Sequence, residues 1–120
     1  MTGNSKAKGD YGENVVSNYL TAKDYKILTR NFKARGGEID IVAQDGEYIV
    51  FIEVKYRTGI SFGEGIEAVN TPKSRRIIAA AKAYLYQQDK WEYPCRFDIV
   101  EVFGRGHLDI THHENAFWEN

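Results

Sequence analysis

Three residues in the middle of the chain have side chains suited to act together on a phosphate ester. Asp40 lies in the run GGEIDIVAQDG, and Glu53 and Lys55 lie in the run VFIEVKYR. Carboxylate oxygens are the ligands that hard divalent cations select. A cation held there polarises a phosphoryl oxygen and acidifies water, and a neighbouring lysine can position or activate that water. These residue types therefore suit metal-dependent cleavage of a phosphodiester.

The two runs must fold next to each other for these groups to meet. They are predicted as β-strands at 38–44 and 47–57, because the dipeptide Asp45-Gly46 between them is typical of a two-residue hairpin turn. With that turn, Glu38 faces Glu53 directly across the hairpin, and Asp40 lies diagonal to that pair.

Side chains alternate between the two faces of a strand, which sorts the hairpin residues into two sets. One face is wholly apolar and is predicted to be buried against a helix: Ile39, Ile41, Ala43, Val50, Ile52 and Val54. The other is apolar near the turn and polar at its far end: Glu38, Asp40, Val42, Ile49, Phe51, Glu53 and Lys55. Because both faces are partly apolar, we expect the hairpin in the centre of a sheet covered on both sides.

The polar end of the second face brings three carboxylates together. Opposed Glu38 and Glu53 repel each other, and Asp40 adds a third negative charge. A divalent cation would convert this repulsion into coordination, with Lys55 within reach of the same volume. The alternative is a charged strand end with an ordinary Glu53–Lys55 ion pair, which contributes little stability when exposed.

The remaining pattern predicts an α/β fold in which helices flank a mixed central sheet, in the order α-β-β-β-α-β. Asp10 and Glu13 resemble a capping box and predict a helix over 10–23. Thr71 and Pro72 begin a second helix that reaches about Gln88. The other predicted elements are strands at 25–32, 96–103 and 108–110, a turn at Arg35-Gly36-Gly37 and a mobile, glycine-containing loop at 58–70.

Composition fits a single domain over residues 1–120. Apolar residues make up 42% and charged residues 28%, the balance of a globular protein, and the length suits one core. No apolar run reaches the roughly 18 residues of a membrane span. The polar start, residues 1–9, is expected to be flexible and is not a secretory signal. A single cysteine, Cys95, cannot form an internal disulfide, so we expect a cytoplasmic protein.

The cations cluster, although the net charge of -1 does not by itself indicate a partner. Lys73, Arg75 and Arg76 crowd the start of the second helix, where unpaired amides add to their attraction for phosphate. Arg57 follows the hairpin. We expect these four residues to contact nucleic-acid phosphates; the alternative is a solvated cationic helix end.

Several other side chains favour structural roles. His107, His112 and His113 lack cysteine partners for zinc, so we expect surface histidines. Asp98 alternates with apolar residues and is expected to pair with Arg96 or to support a polar face of the sheet. Aromatic residues near a helix end more often pack than stack nucleobases; this group is Tyr84, Tyr86, Trp91 and Tyr93.

Together the motifs resemble those of a known family. GGEIDIVAQDG, VFIEVKYR, FGEGIEAV, PKSRRI and RFDIV follow one another as in the YraN-like family of small endonucleases, within the PD-(D/E)xK nuclease superfamily. The resemblance runs from about Gly12 to Val102 and implies a restriction-endonuclease-like αβββαβ core. Ile39 stands where the superfamily's eponymous proline would be.

The resemblance implies metal ligation by Asp40 and Glu53, with Lys55 as the catalytic lysine and Mg²⁺ or Mn²⁺ as cofactor. Glu13 matches an acidic position that Holliday-junction resolvases of the superfamily use near the metal, although a first-turn glutamate also suits a capping box. Glu38 is expected to assist. The implied substrate is DNA, including branched DNA, and resolvase-like members are often dimers.

We therefore expect a Mg²⁺- or Mn²⁺-dependent endonuclease that acts on DNA. One alternative is a nucleic-acid-binding domain of the same fold without turnover, whose salt-sensitive binding would survive loss of Asp40. Another is a protein-interaction domain with no affinity for DNA. Three acids beside a lysine favour catalysis, because binding alone does not need them.

Overall fold

The computed structural model describes residues 3–57, 71–104 and 107–118. Seven elements follow one another: α1 (Gly3–Ala22), β1 (Lys26–Ala34), β2 (Gly37–Asp45), β3 (Tyr48–Arg57), α2 (Thr71–Gln87), β4 (Cys95–Phe103) and β5 (Asp109–Phe117). The predicted α/β class and αβββαβ core are confirmed. The loop predicted at 58–70 lies outside the described residues. Neither helix is both long and apolar enough to cross a membrane within the described ranges.

The five strands form one mixed sheet in the order β1-β2-β3-β4-β5. Neighbours are antiparallel except β3 and β4, which are parallel. A parallel pair needs a long crossover connection, and α2 lies in it. β3 therefore occupies the centre of the sheet, which confirms the central position predicted for the hairpin.

One apolar cluster covers each face of the sheet. The first joins α1 to the sheet through Val16 and Leu20, neither of which has exposed surface. The second joins α2 to the opposite face and contains the apolar stripe of that helix: Ile77, Ile78, Ala81, Tyr84 and Leu85. Both clusters include residues of the hairpin, so the hairpin is covered on both sides.

Ile39 departs from the predicted alternation of the hairpin. We predicted it on the same face as Ile41, but it packs in the α2 cluster beside Phe32, its partner on β1. Asn31, next to Phe32, has a positive φ of 53°, which interrupts the regular pleat of β1. The alternation of side chains between the two faces is therefore broken near Asp40, and the apolar face that we predicted for the hairpin is not continuous.

Two predicted boundaries are wrong. α1 begins at Gly3, so Asp10 lies inside the helix and does not cap it; the preceding lysines and alanine are good helix formers that extend it. β5 runs on to Phe117 instead of ending at Ile110. Its polar, non-alternating sequence gives no strand signal, because β5 is an edge strand and much of it is exposed.

Candidate active site

The hairpin turn differs from the predicted one. Asp45 pairs with Tyr48, so the turn residues are Gly46 and Glu47. Gly46 has a φ of 60°, which glycine adopts without strain. The predicted register is therefore wrong by two residues. Because side chains alternate with a period of 2, a shift of two changes the cross-strand partners but leaves β3 side chains on their predicted face.

The corrected register places Asp40 opposite Glu53, one step beyond the last paired residues Ile41 and Ile52. Here the Asp40 side chain, and not a backbone carbonyl, accepts a hydrogen bond from β3: the Val54 N–H donates to Oδ2 of Asp40 at 2.8 Å. Two adjacent central strands therefore present two carboxylates to each other. Asp40 and Glu53 also line one cleft, as expected for side chains on the same face of the hairpin.

Glu38 does not oppose Glu53, contrary to the prediction. It pairs instead with Lys33 on β1, with Oε2 of Glu38 3.8 Å from Nζ of Lys33. The Glu38 side chain is 49% exposed. In the corrected register Glu38 lies two residues past Glu53, at the exposed rim of the site.

A cleft of about 410 Å³ opens between the hairpin and the first turns of α2. It is lined by Gly36, Gly37, Glu38, Asp40, Glu53, Lys73, Arg76 and Ile77. The cleft therefore combines acidic groups from the sheet with cations from the helix.

A close backbone contact fixes the width of this cleft. A β-carbon added at Gly37 would lie 2.0 Å from the carbonyl oxygen of Arg76. Only glycine allows β2 to approach α2 so closely. The hairpin and the helix that line the cleft are thereby held in direct contact.

Glu53 is held by two lysines. Its Oε1 lies 3.3 Å from Nζ of Lys55 and 3.1 Å from Nζ of Lys73. The side chains of Glu53 and Lys55 are only 12% and 16% exposed. Lys73, predicted as a phosphate contact, therefore lies in the cleft as a partner of Glu53.

Electrostatics in the cleft shift the proton affinities of the three central groups. Burial and the charge of Glu53 raise the pKa of Asp40 from 3.8 to about 7, against the hydrogen bond from Val54. Burial, together with the contact to Lys73, lowers the pKa of Lys55, although Glu53 opposes this. Burial would lower the pKa of Lys73, but its contacts with Lys55 and Glu53 raise it instead. Of the two lysines, Lys55 releases its proton more readily.

The other predicted cations lie in different places. Arg76 lines the cleft, and Arg75 is exposed on the same helix outside the cleft lining. Arg57, at the end of β3, has its Nε 4.0 Å from Oε2 of Glu101. The structure thus brings two of the four predicted phosphate-contacting residues, Lys73 and Arg76, to the cleft.

Glu13 lies on the same side of α1 as the core residues Val16 and Leu20, three and seven positions further along. It is 9% exposed, and its Oε1 is 3.5 Å from Nη2 of Arg30. Its charge contributes to the raised pKa of Asp40, so it lies within electrostatic range of the site. It is not among the residues that line the cleft.

The acidic groups suit a metal ion that keeps part of its water shell. Mg²⁺ is commonly bound through one or two carboxylates, with water and substrate oxygens completing the shell. Asp40 and Glu53 provide two such groups. In the described parts of the chain, no three His, Cys, Asp or Glu side chains are grouped so as to enclose a metal ion by themselves.

Comparison with known proteins places the chain in a family. The family model described as Uncharacterised protein family UPF0102 matches residues 12–102. A UPF0102 protein of Clostridioides difficile is 43% identical over 114 residues, which cover 95% of this chain and 99% of the relative. One of Geobacter metallireducens is 44% identical over 118 residues, covering 98% and 97%. One of Symbiobacterium thermophilum is 46% identical over 98 residues, covering 82% and 83%.

The chain belongs to the UPF0102 family. This confirms the YraN-like resemblance. All the cleft-lining residues lie within the range that the UPF0102 model matches, whereas His112 and His113 lie beyond its end.

Two buried carboxylates of β4 have partners that the sequence did not reveal. Asp98, with no exposed surface, contacts Arg96 as expected and also Nε2 of His112 at 2.7 Å. Glu101, 1% exposed, contacts Nε2 of His113 at 2.7 Å. The prediction of surface histidines is therefore wrong for these two, which pair with buried acids. The sequence feature that could have indicated these pairs is the presence of two acids, Asp98 and Glu101, in an otherwise apolar strand.

Proposed function

We propose that this protein is a divalent-metal-dependent endonuclease that hydrolyses phosphodiester bonds in DNA, including branched or otherwise structured DNA. The observation that carries the proposal is the opposition of Asp40 and Glu53 at one cleft, with Lys55 and Lys73 both in contact with the Glu53 carboxylate. The same constellation underlies the resemblance to PD-(D/E)xK nucleases.

The residues that line the cleft, and Lys55 beside Glu53, have distinct roles in this proposal. Asp40 and Glu53 would hold Mg²⁺ or Mn²⁺, which when bound supplies Lewis-acid polarisation of the phosphoryl oxygen and a more acidic water. Lys55, whose pKa is lowered, orients the attacking water and can accept its proton. Arg76, exposed at the edge of the cleft, binds the substrate phosphate.

Three neighbouring charged residues, Glu13, Glu38 and Lys73, affect the Asp40–Glu53 pair or its surroundings. Glu13 acts at a distance, because its negative charge raises the pKa of Asp40 and therefore favours a cation beside it. Glu38, at the exposed rim, orients water near the phosphate. Lys73 holds the Glu53 carboxylate in place until a cation competes for it.

Cleavage assays test the proposal. Purified protein is incubated with branched, single-stranded and duplex DNA in Mn²⁺, alongside Glu53→Gln, Lys55→Ala and a matched control, Lys26→Ala. Lys26 is an exposed lysine on β1. We expect metal-dependent cleavage that only the two cleft variants abolish. Cleavage that persists in both cleft variants, or none with any substrate, would contradict the enzymatic role.

A nucleic-acid-binding domain without turnover is the second candidate, because Glu53 already has two ammonium partners that satisfy it without a metal. It predicts salt-sensitive DNA binding that survives Asp40→Asn and no thermal stabilisation by Mg²⁺. Light scattering of the pure protein measures whether it is the homodimer that the resemblance implies.

A further inference from the structure

α2 is a basic helix in a chain of net charge -1. It contains Lys73, Arg75, Arg76 and Lys82 and no acidic residue. Arg76, Ala79, Lys82 and Tyr86 are exposed at intervals of three or four residues, and exposed Arg75 lies four residues before Ala79, so the five form one stripe along the outer side of the helix. This stripe starts at the cleft, which Arg76 lines. It offers a row of cations to a linear polyanion.

The stripe ends at exposed aromatic side chains, here called the aromatic platform: Tyr86, Trp91, Tyr93 and Trp118. Their exposed fractions are 73%, 51%, 43% and 61%. The Tyr86 and Trp91 rings meet edge to face with centroids 6.3 Å apart. Large aromatic groups grouped in this way on a surface mark a binding site more often than isolated ones do.

Three members of the aromatic platform border a groove of about 320 Å³: Trp91, Tyr93 and Trp118. Leu85 and Phe97 are also part of its lining, and Lys82 of the basic stripe stands at it. The groove exists because α2 packs mainly on β1 and β2, which leaves this side of β4 and β5 less covered. A flat ring can enter this groove beside the stripe.

The charges next to the aromatic platform, unlike those on α2, are not predominantly positive. Lys90 lies over the Tyr93 ring at 5.3 Å, and the acidic residues Asp89 and Glu92 flank it in sequence. The aromatic platform therefore attracts phosphate groups only weakly. The chemistry offered there is the ring face, which stacks with any nucleobase.

We propose that an unpaired stretch of the nucleic acid lies along α2, with its phosphates on Arg75, Arg76 and Lys82 and a base stacked on the aromatic platform. The inference rests on the proposed function for the identity of the polymer. The bases of a duplex are covered by their neighbours, so only an unpaired base offers its face. The helix rises about 20 Å from Lys73 to Tyr86, which separates the stacked base from the cleft.

Tryptophan fluorescence reports on this surface directly, because Trp91 and Trp118 are the two tryptophans of the chain. The full-length protein is titrated in EDTA, where no metal supports cleavage, with a short oligothymidylate and with a duplex of equal length. We expect the oligothymidylate to quench the fluorescence. Trp91→Ala should weaken its binding, measured by anisotropy of a labelled strand, by about tenfold and leave duplex binding unchanged.

Two further variants serve as controls. Tyr48→Ala removes an aromatic ring that is 40% exposed and contacts Arg96, away from the aromatic platform, and should leave both affinities unchanged. Arg75→Gln should weaken oligothymidylate and duplex alike and reduce the salt dependence by roughly one counterion.

The outcomes separate this inference from the proposed function. Unchanged oligothymidylate affinity in Trp91→Ala, or equal losses for single strand and duplex, overturns the stacking site even if cleavage occurs. A fluorescence change on raising the concentration of the protein alone also overturns it, because a second copy then occupies the groove. Selective loss of single-strand binding without cleavage by the wild type supports the stacking site and removes only the nuclease activity.

Discussion

Asp40→Asn removes one charge from the centre of the site and keeps the shape of the side chain. The pKa of Asp40 is raised from 3.8 to about 7, first by burial and then by Glu53. A carboxyl with a higher pKa in the folded than in the unfolded chain lowers stability when it ionises. The loss begins as the pH rises above the unfolded value of 3.8 and is complete above about 7. The wild type therefore carries this penalty at neutral and alkaline pH.

The size of the effect follows from the two pKa values. At about 1.4 kcal/mol per pH unit, ionised Asp40 lowers the free energy of unfolding by up to about 4 kcal/mol at pH 8. The penalty falls to about 2 kcal/mol at pH 5.5 and to less than about 1 kcal/mol at pH 4. Asparagine can still accept the Val54 N–H, but its own amide protons lose water at a cost of about 1–2 kcal/mol. We expect a net gain of about 2 kcal/mol at pH 8 and a small loss at pH 4.

Urea unfolding at pH 8, 5.5 and 4 in EDTA measures this difference. Glu38→Gln is the matched control, because Glu38 lies on the same strand but is half exposed; its stability should change by no more than about 0.5 kcal/mol. At pH 8, millimolar Mg²⁺ should stabilise the wild type and leave Asp40→Asn unaffected. Two results would refute the raised pKa of Asp40. One is an Asp40→Asn variant that is less stable than the wild type at pH 8. The other is a stability difference that is the same at pH 8 and pH 4.

Other substitutions test the surroundings. Gly37→Ala should destabilise by about 3 kcal/mol or more in calorimetry, because its methyl group would meet the Arg76 carbonyl, whereas Gly9→Ala, with open space around it, should gain up to about 1 kcal/mol. Burial would raise the pKa of Asp98, but its histidine and arginine partners lower it below the usual value. Asp98→Asn should therefore lose about 3 kcal/mol in urea unfolding at pH 7, and the loss should shrink as the pH falls through the folded pKa. Initial cleavage rates at low Mn²⁺ should rise with pH up to about 7 as Asp40 ionises, and a flat profile would speak against metal binding by this group.

The strands and the shared face of the hairpin were predictable because they depend on local alternation. The register was not, since Asp45-Gly46 and Gly46-Glu47 both place a glycine in the turn, and moving the turn by one residue shifts the cross-strand partners by two. An error of two residues leaves every side chain on its predicted face, so the prediction still placed Asp40 and Glu53 on the same face. Their direct opposition needed the structure, because it depends on which turn the whole sheet stabilises.

The pairs formed by β5 were beyond the reach of local patterns. Glu101 and His113 lie on different strands, and their contact requires β5 to continue along β4 beyond Ile110. A polar edge strand has no periodic apolar signal, because one of its sides faces solvent. The same limit applies to Lys73, whose contact with Glu53 depends on how α2 crosses the sheet.

The contact of Gly37 with the backbone at Arg76 has a consequence for motion. Because backbone meets backbone there, the spacing between hairpin and helix cannot adjust by a change of side-chain rotamer. Any fluctuation that lifts the first turn of α2 must also withdraw Lys73 from Glu53. Amide hydrogen exchange at the start of β2 and in the first turns of α2 should then report one common opening free energy. The cleft would open and close as a single cooperative unit, with no half-assembled state between the two.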